Sequence, residues 1–526
     1  MENISPKEVK VPSDLGFDPQ KFPTFREGQL EVAERVAESE KPLFLLEAPT
    51  GSGKSLSGMA AHVLMGRPRT VYLVSTKQLQ DQIEQDFHIP ILKGRNNYPC
   101  LHFSDLFPDV TSEICHDYLG GDECEFELDC PYLKQKRTAL ASSICVLNYP
   151  LFFSEANFVG GFSNLSWLIM DEVDKVEDHL MSFIEVPITP RLMKRINIGP
   201  PQYKTKPESW VEWVVEVKER VLRKLDKLGA PEGLGPVRLR DLMGLKRVNR
   251  RLEFLAGDLD EGWVMEHDEG KALGPVVFKP IRIGSYATSN LWKHTMKSLG
   301  MSATIIGAQA MALELGLHTW DVESTELPSP FPIETRRVEY IPVVNMTHKT
   351  KDVEYPRLGN AIEKVLNKHP KEKVLIHAVS YDLRNFLMDY LRPRHHGLMS
   401  HDKNDRAMAL ERFKSYNQPM VFISPSMERG IDLPGDLCRV IIVAKVPYPN
   451  LGSPQVNKRL YSFSDGSLWY ARRTARALVQ MTGRATRFYG DYSVSYILDE
   501  QFGHLVGRNG ALFPSWWREA VHTGSL

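Results

Sequence analysis

Residues 47–55 read Glu-Ala-Pro-Thr-Gly-Ser-Gly-Lys-Ser, and two different hydrophobic patterns flank them. The preceding run, Pro42-Leu43-Phe44-Leu45-Leu46, is apolar and short enough to be a buried strand. The following apolar side chains recur at helical spacing, at Leu56, Met59, Ala60, Val63 and Leu64. The segment therefore predicts a strand, a glycine-rich turn and a helix, which is the arrangement that a phosphate-binding loop requires.

The residue types in this stretch suit a nucleoside triphosphate with magnesium. Glycines let the backbone approach an anion closely, so that N–H groups and the helix N-terminus point at the phosphates. Lys54 would reach the β- and γ-phosphates, and the Ser55 hydroxyl would hold Mg²⁺. Ala48 stands where the first glycine of the pattern is usual, and the alternative interpretation is an ordinary glycine-rich turn. The predicted ATP-binding residues are Thr50, Gly51, Ser52, Gly53, Lys54 and Ser55.

The length, net charge and hydrophobicity of the chain limit the classes of protein to which it can belong. A chain of 526 residues should hold several domains. Its net charge of −1 excludes a uniformly basic nucleic-acid coat but permits a local basic groove. No apolar run approaches the length of a membrane span, and the polar N-terminus does not resemble a signal peptide.

Two further apolar runs end in polar residues and extend the strand–helix alternation. Thr70-Val71-Tyr72-Leu73-Val74 is followed by Ser75, Thr76 and Lys77, and Trp167-Leu168-Ile169-Met170 is followed by Asp171 and Glu172. Alternating strands and helices indicate a parallel α/β sheet, in which ligands bind at the carboxyl ends of the strands. Thr76 and Lys77 are therefore candidate ligand contacts, and the alternative is a helix cap with a solvated lysine.

The two acids after the later strand have distinct expected roles. Asp171 is placed to bind magnesium, and Glu172 to polarise the water that attacks the γ-phosphate. Adjacent acids are common in loops, but their position downstream of a phosphate loop favours catalysis. Upstream, the Gln29 amide could read an adenine edge; taken alone, it is more typical of an exposed glutamine at a helix start.

Two insertions interrupt the alternation. In the first, residues 94–145, four cysteines lie between residues 100 and 130 and are separated successively by fourteen, eight and five residues. This spacing leaves iron–sulfur, zinc and reduced thiols open, although no Cys-x2-Cys pair occurs. The cysteines are Cys100, Cys115, Cys124 and Cys130, whereas Cys145 and Cys438 lie in apolar runs and are predicted core residues.

The second insertion, residues 180–280, is predicted to be mainly helical. A long amphipathic helix is expected from Trp210 to Leu228, with Gly229 as its stop. A basic stretch follows, which suits either a solvated helical face or an electrostatic wall for a phosphate backbone. Its basic residues are Arg238, Arg240, Lys246, Arg247, Arg250 and Arg251.

A second strand–helix alternation begins after the predicted linker Ser329-Pro330-Phe331-Pro332. Its expected strands are Val374–His377, Met420–Ile423 and Val440–Val443, and it has no second phosphate loop. Arg484 and Arg487 lie three residues apart and could supply positive charge to a γ-phosphate across a cleft, the alternative being surface salt bridges. Other candidate residues of this half are Ser426, Gly430, Asp432 and Gln480.

In combination, these motifs resemble the XPD/DinG family of superfamily 2 helicases from about Phe25 to Phe502. The resemblance rests on the phosphate loop, on Ser302-Ala303-Thr304, on Gln480-x-x-Gly483-Arg484-x-x-Arg487, and on an insertion that opens with Gly94-Arg95-Asn96-Asn97-Tyr98-Pro99-Cys100. Asp174 departs from the pattern, because the family's acidic motif is usually Asp-Glu-Ala-His. This departure questions the coupling of hydrolysis to strand movement rather than the hydrolysis itself.

The resemblance implies an α/β fold of two RecA-like parallel-sheet domains with ATP between them. The first domain would comprise residues 23–93, 146–180 and 281–325 after a tail at 1–22, and the second would comprise 326–526. Residues 94–145 would hold a [4Fe–4S] cluster on the four cysteines, and 181–280 would form a helical arch. Gln29 would contact adenine, Gly430 and Asp432 the nucleotide, and Gln480, Arg484 and Arg487 the catalytic site from the second domain.

The function implied is ATP-dependent movement from 5′ to 3′ on single-stranded DNA, with unwinding of forked or duplex DNA. Thr76, Lys77 and Ser426 would contact the nucleic acid. A monomer located in the cytoplasm or on the nucleoid, without membrane association, is expected. Two alternatives remain at this stage: an RNA helicase or non-unwinding translocase, and a metal-stapled binding module without turnover.

Overall fold

A computed structural model describes residues 9–102, 111–113, 124–229, 235–267, 274–347, 349–426, 433–483 and 490–525. Their strands form one six-stranded sheet, one seven-stranded sheet and a smaller three-stranded sheet. The two larger sheets are parallel throughout. Two parallel α/β domains were expected, and the described fold confirms them.

The first sheet is built from six strands with helices between them. In chain order the elements are α1 (Gln29–Glu38), β1 (Leu43–Glu47), α2 (Lys54–Leu64), β2 (Thr70–Val74), α3 (Lys77–Phe87), α4 (Pro131–Ala141), β3 (Ile144–Asn148), α5 (Tyr149–Ser154), β4 (Leu165–Asp171) and α6 (Val176–Ile184). After the second insertion, α10 (Gly284–Asn290), β8 (Thr295–Ser302), α11 (Ala308–Glu314) and β9 (Val322–Glu326) complete this domain.

The strand order of this sheet is β3-β2-β4-β8-β1-β9. Helices cover both faces, so a strand such as β1 is buried on both sides, which explains its unbroken apolar sequence. The carboxyl ends of β1, β2 and β4 carry the phosphate loop, Ser75 and Asp171, respectively. Because the strands are parallel, these three polar segments lie along one edge of the sheet.

The second insertion adds helices and antiparallel strands that share a hydrophobic core with the first domain. Its elements are β5 (Val186–Ile188), α7 (Pro190–Ile196), α8 (Pro207–Leu228), α9 (Pro236–Asp258), β6 (Trp263–His267) and β7 (Val276–Pro280). The predicted long helix and its Gly229 stop are confirmed in α8, whereas the strands β5-β7-β6 were not predicted. Trp210 and Trp213 of α8 pack against Phe278 of β7, with ring centroids 5.9 and 6.1 Å apart.

The second domain begins after the predicted linker at residues 329–332. Its elements are β10 (Arg336–Val344), α12 (Lys351–Lys368), β11 (Val374–His377), α13 (Tyr381–Leu391), β12 (Leu398–Ser400), α14 (Arg406–Ser415), β13 (Val421–Ser424), β14 (Val440–Val443), α15 (Pro454–Tyr461), α16 (Gly466–Thr482), β15 (Ser493–Asp499), α17 (Gln501–Asn509), α18 (Ser515–Arg518) and β16 (Val521–Thr523). The strand order is β12-β13-β11-β14-β15-β10-β16. The three predicted strands of this half are confirmed as β11, β13 and β14.

The N-terminal segment packs on the first domain from residue 9 onward. Val9 and Leu15 are buried in the cluster that also holds the apolar side chains of α1. The rings of Phe22 and Phe87 stack with centroids 5.1 Å apart. Residues 9–22, which were expected to belong to an N-terminal tail, therefore form a packed cap.

Candidate active site between the two domains

The phosphate loop joins β1 to α2 through two residues in left-handed backbone conformations. Gly51 has φ +83° and Gly53 has φ +77°, a region that favours glycine. A Cβ at Gly53 would collide with the Gln29 amide. The loop is also closed internally, because Ser52 Oγ donates to the Pro49 carbonyl at 2.7 Å. The predicted strand–turn–helix is confirmed, and its helix begins at Lys54.

Lys54 and Gln29 both contact the loop backbone. Lys54 Nζ donates to the carbonyl oxygens of Ala48 at 3.1 Å and Pro49 at 3.4 Å. Gln29 is buried, and its Nε2 donates to the carbonyls of Ser52 at 2.8 Å and Gly53 at 3.1 Å. The described Gln29 contacts therefore support the loop, and its predicted adenine contact stays a prediction.

Asp171 closes β4 directly beside the loop. Burial raises the pKa of its carboxyl to about 6, while the nearby Lys54 ammonium opposes that rise. Burial and the Asp171 charge raise the pKa of Tyr72 well above its ordinary value, and a hydrogen bond with Ser55 opposes that rise. Tyr72 Oη thus lies against both Ser55 and Asp171, 3.5 Å from Asp171 Oδ2. The Ser55 hydroxyl and the Asp171 carboxylate therefore both lie beside Tyr72. This pair of groups suits Mg²⁺, which usually takes one or two protein ligands together with phosphate oxygens.

Glu172 lies in a left-handed conformation, with φ +52°, at the start of the turn that leads into α6. Its Oε2 accepts hydrogen bonds from Ser75 Oγ and, at 2.8 Å, from Lys175 Nζ. Lys175 Nζ is also 3.4 Å from Ser75 Oγ. The predicted catalytic base is therefore held by two donors, and only tertiary structure reveals this, because Ser75 and Glu172 are far apart in sequence.

Asp174 connects the two domains. Its Oδ1 accepts from Ser302 Oγ at 2.5 Å, and its Oδ2 accepts from Gln480 Nε2 at 2.8 Å. Gln480 Nε2 also donates to Thr304 Oγ1 at 3.0 Å. Asp174 is buried, so its bridging position is well shielded from water. The residue that departs from the family pattern thus links the acidic motif, the Ser-Ala-Thr motif and Gln480.

Three arginines of α16 add to this interface. Arg472 Nη2 donates to the Ile305 carbonyl at 3.0 Å, and Arg476 Nη1 donates to the Asp174 carbonyl at 3.1 Å. Arg473 Nη1 contacts Glu177 Oε2 at 3.0 Å and Asp178 Oδ1 at 2.9 Å. Burial opposes the charge of Glu177, but the Arg473 guanidinium outweighs it and lowers the pKa of Glu177. These contacts between the domains were not predicted from the sequence.

The predicted nucleic-acid contacts lie at the carboxyl edges of the two sheets. Thr76 and Lys77 follow β2 and are exposed, and Lys77 Nζ donates to Asn97 Oδ1 at 2.7 Å. Thr76 Oγ1 also caps α3 by accepting from the Leu79 amide at 3.2 Å. Ser426 is half-buried shortly after β13. Gly430, Asp432, Arg484 and Arg487 lie outside the described residues, so their predicted roles stay predictions.

The cysteine insertion is anchored at its C-terminal end. Cys130 directly precedes α4, and Tyr132 and Lys136 of that helix both bond Glu155, the latter at 2.6 Å. Cys100 is buried, while Cys124 and Cys130 are half-buried and joined by a compact turn. Cys115 lies outside the described residues, and among those described no three metal-ligating side chains converge. Cys145 and Cys438 are confirmed as core residues, and burial raises the pKa of each thiol to about 12.

The basic stretch predicted in the second insertion lies on α9, and its arginines and Lys246 are exposed. Arg247 Nη1 pairs with Glu113 Oε1 at 2.6 Å, which joins this helix to the cysteine insertion. Exposure is compatible with both expected roles, a solvated face and an electrostatic wall. Within the ranges that the structure describes, no helix has the length and hydrophobicity needed to cross a membrane.

Two family models match the chain. Residues 26–202 match a DEAD/DEAH box helicase domain, and residues 362–520 match a helicase C-terminal domain. The ATP-dependent DNA helicase YoaA of Haemophilus influenzae is 23% identical over 607 residues, covering 92% of each chain. The probable ATP-dependent helicase MJ0942 of Methanocaldococcus jannaschii is 21% identical, covering 94% of each chain.

The fold is also that of solved relatives. A structure described as "XPD_Helicase" has a TM-score of 0.65 at 17% identity and covers 95% of this chain and 99% of its own. This likeness shows two RecA-like domains, as the motifs predicted. With the phosphate loop, the two acids and the α16 interface brought together, the chain is an XPD/DinG-like superfamily 2 helicase, an ATP-hydrolysing enzyme.

Proposed function

We propose that the protein is an ATP-dependent DNA helicase that moves from 5′ to 3′ on single-stranded DNA and unwinds forked or duplex DNA. The observation that carries the proposal is the bridge from Asp174 to Gln480, which ties the acids beside the phosphate loop to the second domain. A nucleotide bound at the loop therefore acts on both domains at once. Opening and closing of the cleft between the domains can advance a single strand of DNA across the two domains.

In the proposed hydrolysis, Lys54 binds the β- and γ-phosphates, and Ser55 and Asp171 hold Mg²⁺. Glu172 takes the proton of the attacking water. Arg484 and Arg487, which follow α16 in sequence, bring positive charge to the γ-phosphate from the second domain. Gln29 contacts adenine, while Gly430 and Asp432 complete the nucleotide site. Gln480 acts through Asp174 and Thr304 rather than on the water.

In the proposed nucleic-acid path, the strand runs over the carboxyl edges of both sheets. Thr76 and Lys77 bind phosphates on the first domain, and Ser426 does so on the second. These residues offer hydroxyl and ammonium donors, which suit a phosphate backbone and carry no base specificity. The proposed enzyme acts as a monomer, because one chain supplies both domains of the cleft.

The cysteine insertion fits a [4Fe–4S] cluster by its chemistry. Four thiolates are the ligands of such a cluster, and Cys100, Cys115, Cys124 and Cys130 would hold it. An insertion of this size is too short to build a strong core unaided, so a metal staple is physically expected. The cluster would provide rigidity, whereas the residues proposed for ATP hydrolysis all lie outside the insertion.

The function is tested with purified protein on labelled substrates. Duplexes with a 5′ or a 3′ single-stranded tail, in DNA and in RNA, are compared for strand displacement and for stimulation of ATP hydrolysis. We expect displacement of the 5′-tailed DNA substrate. Displacement only from a 3′ tail would contradict the proposed polarity. A preference for RNA would contradict DNA as the substrate. ATP hydrolysis without strand displacement would indicate a translocase that does not unwind.

The cluster is tested separately on protein purified without oxygen. We expect a brown protein with iron and sulfide in near-equal amounts, and Cys124→Ser should bleach it and cripple unwinding while part of the basal ATP hydrolysis survives. Cys438→Ala, in the core of the second domain, is the matched control and should keep the colour. A colourless protein with one zinc per chain would reject the cluster.

A further inference from the structure

We propose that Ser75 and Lys175 are positioning residues that hold the Glu172 carboxylate in a resting state, which a bound nucleic-acid strand releases. The inference rests on the proposed ATP hydrolysis with Glu172 as base. It adds a switch by which the strand-binding edge of the first domain controls that base.

The contacts form a closed triangle on one carboxylate oxygen. Glu172 Oε2 accepts from Ser75 Oγ and from Lys175 Nζ, the latter at 2.8 Å. The third side is the 3.4 Å contact between Lys175 Nζ and Ser75 Oγ. The three groups are each only partly buried, so the triangle lies at the surface of the cleft rather than in the core.

Such a triangle opposes catalysis by Glu172. Each oxygen of an ionised carboxylate offers about two lone-pair sites to hydrogen-bond donors, and Ser75 and Lys175 occupy those of Glu172 Oε2. A general base must also lie within hydrogen-bond reach of the water that it deprotonates. An oxygen that accepts from both an ammonium and a hydroxyl is engaged elsewhere, so these contacts slow hydrolysis until they break.

Two structural features connect the triangle to its surroundings. Ser75 directly precedes Thr76 and Lys77, the exposed residues proposed to bind nucleic-acid phosphates. Lys175 directly precedes α6, whose Glu177 bonds Arg473 of the second domain. A nucleic-acid strand bound at the sheet edge would act on Ser75, and a movement of the second domain would act on Lys175. Both residues donate hydrogen bonds to Glu172.

The release step follows from charge. The side chain of Lys175 keeps 21% of its surface exposed, so its ammonium can leave Glu172 without disturbing the core. A phosphate arriving at Thr76 and Lys77 places a negative charge beside Ser75, and it competes with Glu172 for the ammonium and the hydroxyl. Loss of both donors frees Glu172 Oε2 to accept a proton from water.

The test compares ATP hydrolysis by the full chain with and without single-stranded DNA. Lys175→Met should raise kcat without DNA by about twofold to fivefold, the factor expected for a partly exposed ion pair. Its KM for ATP should not change, and the stimulation by DNA should shrink. Ser75→Ala should act in the same direction, and Lys175→Arg, which keeps a donor, should retain the low basal rate. Lys194→Met, on the exposed surface of α7, is the matched control and should match the wild type.

An unchanged or lower basal kcat in both Lys175→Met and Ser75→Ala would overturn the proposal. If Lys175→Met does not fold, Ser75→Ala and Lys175→Gln decide, with melting curves recorded for each variant. A merely structural role would lower the rates with and without DNA together. Absence of ATP hydrolysis in the wild type would instead refute the proposed function, so the two failures are distinguishable.

Discussion

At the scale of single residues, the site depends on contacts that bring distant positions together. Glu172 is bonded by Ser75, and Asp174 is bonded by Ser302 and Gln480. Ser75 follows β2, Ser302 ends β8 and Gln480 lies on α16, so the partners come from three separate parts of the chain. Substitution of Glu172 should therefore affect ATP hydrolysis, whereas substitution of Asp174 should affect the contact between the domains.

The first prediction separates binding from hydrolysis. Glu172→Gln should bind ATP but lose turnover on the order of a hundredfold to ten-thousandfold, because an amide cannot accept the proton of the water. Lys54→Ala should lose ATP binding itself, since the charge that holds the phosphates is gone. ATP affinity and ATP hydrolysis are measured side by side, with Glu261→Gln on the exposed surface as the control. Normal turnover by Glu172→Gln would remove Glu172 from the mechanism.

The second prediction concerns the bridge between the domains. Asp174→Ala and Gln480→Ala should each retain ATP binding but unwind fewer base pairs per ATP hydrolysed. Because the two side chains share a direct hydrogen bond, their effects should be non-additive, with a coupling of about 1–2 kcal/mol. A double-mutant cycle measures this value. The same cycle with the exposed Asp260→Ala in place of Asp174→Ala should be additive, and additivity in the first cycle would contradict the bridge.

At the scale of elements, α2 shows how a helix can serve the site and carry a buried titratable group. Its N-terminus closes the phosphate loop, and its second half buries His62. His62 Nδ1 lies 3.1 Å from Thr70 Oγ1, and its ring stacks on Trp167 with centroids 6.3 Å apart. Protonation of this ring would place a charge in the buried layer between α2 and the first sheet, beside β2 and β4.

The third prediction is a pH dependence of α2. Burial lowers the pKa of His62 from 6.5 to about 4. Between these values the unfolded chain binds the proton that the folded chain excludes, so stability falls as the pH falls. The opening free energy of the α2 amides should drop by about 2 kcal/mol from pH 7 to pH 5. Hydrogen exchange, corrected for intrinsic rates, measures this.

His62→Gln is the decisive variant for that prediction, because glutamine has no titration in this range. Its α2 amides should show a flat dependence between the two pH values, whereas His318→Gln on the exposed surface should behave as the wild type. An identical slope in wild type and His62→Gln would assign the dependence to another group.

Elements with local signals could be predicted, and contacts between elements could not. The apolar runs of β1, β2, β4, β11, β13 and β14 mark buried parallel strands, and Gly229 marks the end of α8. The strand pairing of β5, β6 and β7 and the packing of the N-terminal cap depend on distant partners. The same holds for Lys175: its spacing from Glu172 is visible in sequence, but the Ser75 hydroxyl that completes the triangle is not.

At the scale of the whole molecule, α16 carries several of the side-chain contacts between the domains. Its residues Arg472, Arg473, Arg476 and Gln480 all bond groups of the first domain. The helix then leads directly into the segment that holds Arg484 and Arg487. A rigid helix that contacts the first domain and leads to these arginines can transmit the loss of the γ-phosphate on ATP hydrolysis to the second domain.

The fourth prediction tests this connection. Arg473→Ala removes the guanidinium that bonds Glu177 and Asp178, while the Trp469 hydrogen bond to Glu177 stays. The loss should weaken the domain contact by about 2 kcal/mol. We expect a larger radius of gyration in X-ray scattering and reduced hydrolysis with ATP binding retained. Arg223→Ala, on the exposed side of α8, should change neither. An unaltered radius and rate in Arg473→Ala would show that the pair does not hold the domains.

The same pair gives the interface a defined response to acid. The pKa of Glu177 is lowered in the folded protein. The stability that this carboxylate contributes is therefore present above its unfolded pKa and is lost as the pH falls through the folded value. Scattering of the wild type should show domain separation at strongly acidic pH, before the sheets themselves unfold.

The pairing of β1 has a consequence for how the chain is made. This strand ends at residue 47, yet its two hydrogen-bonded neighbours are β8 and β9, which end at residues 302 and 326. At about 5–20 residues per second, a ribosome needs on the order of 10 to 60 seconds to supply them. Until then the nascent phosphate loop follows an apolar strand with no partner on either side. A stalled chain released before residue 295 should accordingly fail to retain ATP and should bind chaperones, however complete its own loop sequence is.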